Sequence, residues 1–410
     1  MEDKKIIITK EMKEKINKKI KPKIFAKGKP DFWFIALVVI LAIFGIIMLF
    51  SASSSISLSE SGNSFVYLSK QIKASIVGVF LCIIISSIDY RILKGKMTRF
   101  ICLILMIISP LLVHFFGYES NHAKRWIEVA GFSIQLSEFV KIFLIIFMAS
   151  YYSKITKEGK ISKIKDAIVK PFLYLFVPAL LIYKLENHFS STLVLTFITI
   201  VIAFVSGIES KHIMLVGSAG FLGVIYIIKE KFLTGEAGFR STRIKTFLNP
   251  WNDPSGKGYQ ITQSLMAVGS GGLLGKGIGQ SIQKRKYLPY AQNDFIFAII
   301  VEEIGLIGAI ALIVAFFLLI LFAWKIAVRS RDIFGKLIAS GIAAFYAIQI
   351  FVNIAVAIGL IPVTGMSLPF FSSGGTSIMV TYITVGILIS ISRINDYTKT
   401  VYEEITKNKN

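Results

Sequence analysis

Cysteine, histidine and acidic residues are scarce in this chain of 410 residues, which contains two Cys, four His and 24 Asp or Glu. Two cysteines are too few for a disulfide framework, and their spacing does not match a zinc site. Cys82 and Cys102 both lie inside apolar runs, where a free cysteine is typically a small buried hydrophobic side chain. No second His or Cys stands near His188, so the sequence does not support a metal centre and favours a hydrogen-bonded packing role for this histidine.

Charged residues are also few, because they make up 17% of the chain, whereas hydrophobic residues make up 54%. Several apolar runs approach the roughly 20 residues that a helix needs to cross the hydrocarbon core of a bilayer. The sequence therefore predicts an all-α polytopic membrane protein with ten transmembrane helices. Their predicted positions are residues 32–51, 71–88, 99–117, 134–152, 171–185, 189–207, 212–228, 295–324, 335–360 and 374–393.

The net charge of +22 would indicate a nucleic-acid partner in a soluble chain, but a simpler source exists here. Lys and Arg collect in a basic tail at 1–31 and in alternate connections between the apolar runs, as the positive-inside rule describes. No segment resembles a nucleic-acid-binding module. The charge bias predicts a multi-pass protein of the cytoplasmic membrane with both termini, including a tail at 395–410, on the cytoplasmic side.

The same alternation places a large loop at 229–293, between helices seven and eight, on the outer side, although it holds ten Lys or Arg. Long loops escape the positive-inside rule, so these cations are either merely permitted there or attract a strongly anionic ligand. Re-entry of this Gly-rich loop into the membrane is compatible with its sequence only where protein or water shields the backbone. The serine-rich outer connection at 51–64 is predicted to be an ordinary flexible connector.

Asp294 closes the large loop at the edge of the eighth predicted helix. Partial desolvation at that depth suits a general base, whereas the structural alternative is an N-cap, and the two roles are compatible. Glu302 follows on the same face by i, i+4 spacing, so the sequence predicts that Asp294 and Glu302 border one polar cleft. Intramembrane carboxylates mark a cavity or an ion pair, and pairing with Lys or Arg is an equal alternative for Glu303.

A second polar cluster occupies the outer connection at 118–133 and the start of the following helix. Glu138 and Lys141 are spaced i, i+3, which permits a local salt bridge. Cations at this depth would also suit a lipid pyrophosphate, for which Arg offers two parallel N–H donors. A Pro- and Gly-rich break at 362–377 separates the last two helices, and such breaks near a membrane often line a substrate cavity.

Three long stretches resemble the signature blocks of the SEDS family (shape, elongation, division and sporulation), the bacterial proteins FtsW, RodA and SpoVE. The stretches are FLNPWNDPSGKGYQITQSLMAVGSGGLLGKGIGQSIQK, YLPYAQNDFIFAIIVEEIG and GLIPVTGMSLPFFSSGGTS. The likeness covers about residues 30–395 and indicates one SEDS transmembrane domain at 32–394. The spacing of GKGIGQSIQKRKYLP is more similar to the FtsW and SpoVE branch than to RodA.

The resemblance implies an inverting peptidoglycan glycosyltransferase of the bacterial cytoplasmic membrane that polymerises lipid II into glycan strands during division or sporulation. It implies as partners lipid II, the nascent glycan chain, the lipid bilayer, a class B penicillin-binding transpeptidase, and divisome or sporulation proteins. The alternatives are a lipid II flippase and a non-catalytic scaffold for a transpeptidase. No cofactor is identified, and the sequence leaves open whether a divalent cation, Mg²⁺ or Mn²⁺, assists at the pyrophosphate.

The essential aspartate of the family falls at Asp294, which the resemblance makes the catalytic residue. The residues expected to bind substrate are Lys124, Arg125, Trp126, Gln135, Ser137, Glu138, Lys141, Arg243, Gln263, Ser264, Lys284, Glu302, Ser372 and Gly374. Four positions depart from the family pattern: Leu136, His188, Tyr290 and Ser373. Tyr290 replaces a carboxylate, which puts one acidic helper in doubt, whereas Asp294 is intact.

Overall fold

The computed structural model describes residues 22–120, 123–129, 132–212, 214, 217, 246–256 and 258–407, and this part of the chain is mostly helical. Its α-helices are α1 (Phe32–Ser61), α2 (Val66–Ser87), α3 (Lys96–Phe116), α4 (Leu136–Lys157), α5 (Lys170–Leu185), α6 (Phe189–Val205), α7 (Tyr259–Ser270), α8 (Ile296–Arg329), α9 (Ile333–Ala357) and α10 (Gly375–Lys407).

Eight helices in the described residues are long and apolar enough to cross a membrane, and α6 is a shorter apolar helix. The polytopic helical fold predicted from the apolar runs is therefore confirmed. The predicted helix at 212–228 lies almost entirely outside the described residues, so the count of ten and the position of the large loop stay predictions.

Helices α4, α9 and α10 form the centre of the bundle. Their most apolar stretches are 72% to 78% buried, whereas those of α1, α2, α3, α5 and α8 are 22% to 39% buried. Small residues let the central helices approach closely. A Cβ added at Gly341 of α9 would lie 2.9 Å from Ile202 Cδ1 of α6 and 3.0 Å from Ile145 Cγ2 of α4. The outer helices keep broad apolar faces outward, as expected where lipid is the solvent.

The serine-rich segment at 51–64 is not a flexible connector, because α1 continues as helix to Ser61. Serine competes poorly for helix interiors when its hydroxyl is unpartnered, but here several hydroxyls bond to the helix itself. Ser61 Oγ donates to Ser57 O at 2.7 Å, and Ser57 Oγ donates to Asn63 O at 2.6 Å beyond the end of the helix. Ser51 is also buried and bonds to α8. The prediction was wrong because hydropathy ignores these bonds.

The connection between α3 and α4 forms a small antiparallel sheet. Its strands β1 (Tyr118–Ser120), β2 (Ala123–Val129) and β3 (Phe132–Ile134) are ordered β1-β2-β3. β3 leads directly into α4, so the sheet lies at the same end of the bundle as the first turns of α4, α6, α8 and α10. We call this end the site end.

The predicted large loop also contains regular structure, because α7 lies within 229–293 and the glycine-rich chain after it clamps α8. Lys276 N donates to Glu302 O at 3.0 Å, and Leu306 N donates to Gly272 O at 2.9 Å. Between these bonds α8 is broken at Gly305, whose φ of 71° and ψ of −176° are non-helical. A Cβ at Gly305 would lie 2.3 Å from Gly275 N, so the close approach requires glycine.

At the opposite end of the bundle, the segment before α1 docks against α2 and α10. Ala26 N donates to Ser87 O at 2.8 Å. Arg393 Nη1 and Nε donate to Ser86 O and Gly28 O, at 3.1 Å and 3.2 Å. Helix α10 continues to Lys407, so much of the predicted tail at 395–410 extends this helix.

Candidate active site

Asp294 lies at the site end, two residues before the first residue of α8, and is half-buried. The N-cap position belongs to Phe295, so the structure does not support the simple N-cap alternative for Asp294. Asn353 Nδ2 of α9 donates to Asp294 O at 3.1 Å and to Met366 O at 2.7 Å. The main chain at Asp294 is therefore tied to the segment that precedes α10.

The segment at 361–374, between α9 and α10, contacts Asp294 and the two residues before it. Ser372 Oγ donates to Asn293 O at 2.7 Å, and Ser373 N donates to Gln292 O at 2.8 Å. A Cβ at Gly365, whose φ is +77°, would lie 3.8 Å from Asp294 Oδ2, so the carboxylate faces this glycine. The Pro- and Gly-rich break predicted to line a cavity thus lies against the predicted catalytic residue.

The second polar cluster is formed by β2 and the first turns of α4. Lys141 Nζ donates to Glu138 Oε1 at 2.5 Å, and both side chains are buried. Arg125 Nε donates to Glu186 O at 3.0 Å, and Arg125 Nη2 donates to Asn187 O at 2.9 Å. The predicted salt bridge is confirmed, and the guanidinium is held by the turn between α5 and α6.

Two contacts connect the start of α4 and the start of α6 to the surroundings of Asp294. Gln135 N donates to Thr376 Oγ1 at 2.9 Å, at the start of α10. Ser190 Oγ of α6 donates to Thr364 O at 3.1 Å, and Thr364 precedes Gly365. With standard backbone dimensions, these contacts place Ser190 Oγ at most about 11 Å from Asp294 Oδ2. The α5–α6 turn and Asp294 therefore border one region of the site end.

Several polar atoms in this region are buried and have no hydrogen-bond partner among the described residues. They are Ser137 Oγ, Glu138 Oε2, Glu186 Oε1 and Oε2, Gln292 Oε1, Asn353 Oδ1 and Thr364 Oγ1. Most buried polar groups in native proteins are satisfied, so such a concentration calls for an explanation such as a bound polar ligand or water.

Glu302 and Glu303 lie elsewhere, about 9 Å into α8 from its first residue. Glu302 accepts from Lys276 Nζ at 2.7 Å and from Ser281 Oγ at 2.5 Å. Glu303 accepts from Lys284 Nζ at 2.8 Å. The pairing alternative is confirmed for Glu303, and Glu302 is likewise bonded to the glycine-rich chain. That Asp294 and Glu302 border one polar cleft stays a prediction.

The remaining predicted substrate residues are spread over the site end. Lys124 is exposed, while Trp126 and Gln263 are half-buried. Ser264 Oγ of α7 donates to Ala357 O at 2.7 Å and so fixes α7 to the end of α9. Gly374 N donates to Gln71 Oε1 at 3.4 Å. Arg243 lies outside the described residues.

Glu186 is a residue that the sequence did not single out as a site residue. It is fully buried in the turn between α5 and α6. Burial raises the pKa of its carboxyl to about 7, against the opposing effects of the Ser137 hydroxyl and the Arg125 guanidinium, while the Glu138 carboxylate adds to the rise. Its neighbour His188 hydrogen-bonds Ser191 Oγ through Nδ1, as expected for a packing residue. Only the folded turn reveals how the carboxyl of Glu186 is surrounded.

No group of three or more His, Cys, Asp or Glu that could hold a metal ion exists among the residues that the structure describes. A bound Mg²⁺ at this end would therefore need further oxygen ligands, from water or from a ligand, to complete the octahedral coordination that it prefers.

Over residues 32–397 the chain matches the cell cycle protein family FtsW/RodA/SpoVE. It is similar to stage V sporulation protein E of Bacillus subtilis (strain 168), at 37% identity over 373 residues that cover 90% of this chain and 99% of that protein. It is 36% identical over 368 residues to the probable peptidoglycan glycosyltransferase FtsW of Trichlorobacter lovleyi, covering 90% of this chain and 94% of that protein. A chain from a peptidoglycan synthase complex, solved to explain the coordination of polymerization and crosslinking, shares the fold, with a TM-score of 0.71 and 24% identity over 89% of this chain and 98% of that one.

Proposed function

Because the chain belongs to the FtsW/RodA/SpoVE family of cell cycle proteins, we propose that it is a membrane-embedded peptidoglycan glycosyltransferase that uses Asp294 as its general base. The observation that carries the proposal is the concentration of buried, unpartnered polar atoms around Asp294 and the α5–α6 turn. A sugar substrate brings many hydroxyl and amide groups, which would satisfy such atoms.

In the proposed reaction, lipid II is the acceptor and the pyrophosphate-linked end of the growing glycan is the donor. Asp294 takes the proton from the 4-hydroxyl of the acceptor sugar as that oxygen attacks the anomeric carbon of the donor. The new glycosidic bond forms with inversion, the bond from the anomeric carbon to the phosphate oxygen breaks, and the lipid pyrophosphate leaves with the electron pair. Both substrates are lipid-anchored, so confinement to the membrane supplies part of their orientation.

The departing pyrophosphate needs cationic stabilisation, because electrostatic stabilisation is usually the largest catalytic contribution. Lys124 is exposed on β2 and Arg125 follows it, with its guanidinium fixed by two carbonyls. An arginine presents parallel N–H donors that fit phosphate oxygens. We assign these two cations to the pyrophosphate of the donor. If a divalent cation also binds, it would add positive charge at the same pyrophosphate.

A transpeptidase partner belongs to the same proposal. A chain with this fold forms part of a synthase complex that polymerises and crosslinks peptidoglycan. We propose that this chain acts beside a class B penicillin-binding transpeptidase, with both of its termini in the cytoplasm and the site end outside. Affinity purification from native membranes would identify that partner and whether it belongs to division or sporulation.

The test uses the purified full chain, with and without its partner, and fluorescent lipid II. Asp294→Asn should lower the polymerisation rate by about 10²- to 10⁴-fold, the usual contribution of a general base. The matched control is Asp166→Asn at the opposite end of the bundle, where Asp166 pairs with the exposed Lys170. We expect wild-type rates from this control.

Polymerisation by Asp294→Asn at close to the wild-type rate would overturn the assignment of the base. Labelled lipid II in sealed vesicles distinguishes the proposed enzyme from a flippase or a scaffold. Translocation of labelled lipid II without polymer would support a flippase, and normal strand synthesis by the partner with Asp294→Asn would support a scaffold.

A further inference from the structure

The turn between α5 and α6 encloses the carboxyl group of Glu186, which lies near the Ser137 hydroxyl of α4. Glu186 is fully buried, and neither of its carboxyl oxygens has a hydrogen-bond partner among the described residues. Asn187 beside it adopts a left-handed conformation, with φ of 51°. That conformation is uncommon outside glycine but tolerated by Asn, and it allows two successive carbonyls to face the same guanidinium.

The guanidinium is that of Arg125, which donates to Glu186 O and Asn187 O at 3.0 Å and 2.9 Å. The side chain of Glu186 thus occupies the interior of the turn while its main chain holds a cation at the surface of the site. Any change in the charge of the buried carboxyl acts on the turn, and the turn fixes the position of Arg125.

The groups that act on the Glu186 carboxyl come from two elements. Arg125 approaches from β2, and Ser137 and Glu138 approach from α4. Lys141 is paired with Glu138 Oε1, and Glu138 Oε2 has no partner among the described residues. Lys141 therefore compensates Glu138 only in part, and the Glu138 carboxylate still disfavours a negative charge on Glu186. Burial and Glu138 together outweigh the attraction of Arg125 and the Ser137 hydroxyl, so the arrangement suits an uncharged carboxylic acid.

We propose that Glu186 is a positioning residue that works as a neutral carboxylic acid, which keeps the α5–α6 turn closed on Arg125. Ionisation of Glu186 requires hydration of the buried charge, which opens the turn and moves the guanidinium away from the donor pyrophosphate. The proton comes from solvent and returns to it, so no other reactant is needed. This inference rests on the proposed glycosyltransferase function and deepens it, because it assigns to Glu186 the placement of the leaving-group cation.

Burial supports the same state independently of any substrate, since it raises the pKa of Glu186 to about 7. The carboxyl is then largely protonated at mildly acidic pH and ionises as the pH rises through neutrality. Polymerisation that depends on the closed turn should fall over the same interval.

The first experiment compares the polymerisation rates of wild type, Glu186→Gln and Glu186→Ala from about pH 5.5 to about pH 8.5, an interval that spans the ionisation of Glu186. Glutamine is nearly isosteric with the neutral acid. We expect Glu186→Gln to keep the wild-type rate within about threefold at the acidic end and to lack the fall in rate near neutrality that wild type shows. Glu186→Ala should raise the KM for the lipid-linked donor, because Arg125 loses its support. The surface variant Glu60→Gln is the control and should follow the wild-type profile.

Two outcomes would overturn the inference. One is superimposable pH profiles of wild type and Glu186→Gln. The other is a rate for Glu186→Gln at acidic pH as low as that of Glu186→Ala while thermal unfolding shows both variants folded, because an ionised carboxylate would then be required.

A second experiment needs no substrate. The infrared difference spectrum between wild type and Glu186→Gln at mildly acidic pH should contain the carbonyl stretch of a protonated carboxyl, which disappears above neutral pH. Absence of that band at acidic pH would overturn the inference even if activity is low. If wild type makes no polymer at all, the proposed function fails, whereas the infrared result still decides the state of Glu186.

Discussion

Two pairs of glutamate side chains are buried towards the site end, and their carboxyl groups differ in how they are bonded. Glu302 and Glu303 of α8 have their oxygens engaged by Lys276, Lys284 and nearby serine hydroxyls. In the other pair, Glu138 has one bonded oxygen and Glu186 has none among the described residues. A satisfied buried network makes structure rigid and unique, whereas unsatisfied groups concentrate at functional sites. Glu302 and Glu303 therefore stabilise the fold, whereas Glu138 and Glu186 keep oxygens that can bond a ligand or a proton.

The largest effect on stability is expected from removing Lys284, the lysine that pairs with Glu303. Lys284 Nζ bonds Glu303 Oε1 at 2.8 Å and Ser51 Oγ at 2.9 Å, and it is buried. Lys284→Met keeps the length of the side chain but leaves Glu303 charged and uncompensated, so the free energy of unfolding should fall by about 3–5 kcal/mol. Denaturant unfolding in detergent measures this loss. The control Lys286→Met changes an exposed lysine of the same loop and should cost less than about 0.5 kcal/mol.

The stability contributed by Glu186 should instead depend on pH. The folded-state pKa of Glu186 is raised from 4.5 to about 7, so the folded protein binds more protons than the unfolded chain between these values. The contribution of Glu186 to stability is therefore present below about pH 4.5 and is lost as pH rises through about 7, for a total of about 3 kcal/mol. The unfolding free energy of wild type should fall relative to that of Glu186→Gln over this interval. A constant difference between the two proteins would contradict the assignment.

The satisfied pair also depends on the loop that carries its lysines, and Gly305 lets that loop approach α8. Gly305→Ala adds a Cβ about 2.4 Å from Leu273 O in a left-handed conformation, so we expect a loss of about 1–3 kcal/mol. Gly269→Ala is the matched control, because Gly269 lies in α7 with nothing within 4 Å of the added Cβ. This control should be neutral or stabilising by up to about 1 kcal/mol. Equal thermal midpoints for the two variants would show that the break in α8 is not glycine-dependent.

The smallest effect is expected from removing the hydroxyl of Ser51, which bonds Glu303. Ser51→Ala removes the hydroxyl that lies 2.7 Å from both carboxyl oxygens of Glu303, and it should cost about 1–2 kcal/mol. Ser59→Ala, in the exposed end of α1, removes only a bond to the carbonyl of Ile56 and should change stability by less than about 0.5 kcal/mol. Similar small effects from both substitutions would place Ser51 outside the network.

The polytopic helical fold was predictable because hydropathy decides it, whereas the catalytic role of Asp294 rests on a long sequence motif and stays a prediction. The end of α1 was not predictable, because hydropathy does not register the serine hydroxyls that bond to the helix there. Lys284 and Glu302 were expected to bind substrate, but their partners depend on a loop that folds back on α8. Whether they also contact substrate stays a prediction. Glu186 was not predicted as a site residue, because its proposed role follows from burial rather than from its neighbours in the sequence.

Helix α10 connects the two ends of the bundle. It runs without interruption from Gly375 to Lys407, a length of about 50 Å. Near one end, Thr376 Oγ1 accepts from Gln135 N, and towards the other end, Arg393 Nε donates to Gly28 O in the segment before α1. Helix α10 therefore links the start of α4 to the segment before α1 through one continuous, hydrogen-bonded element.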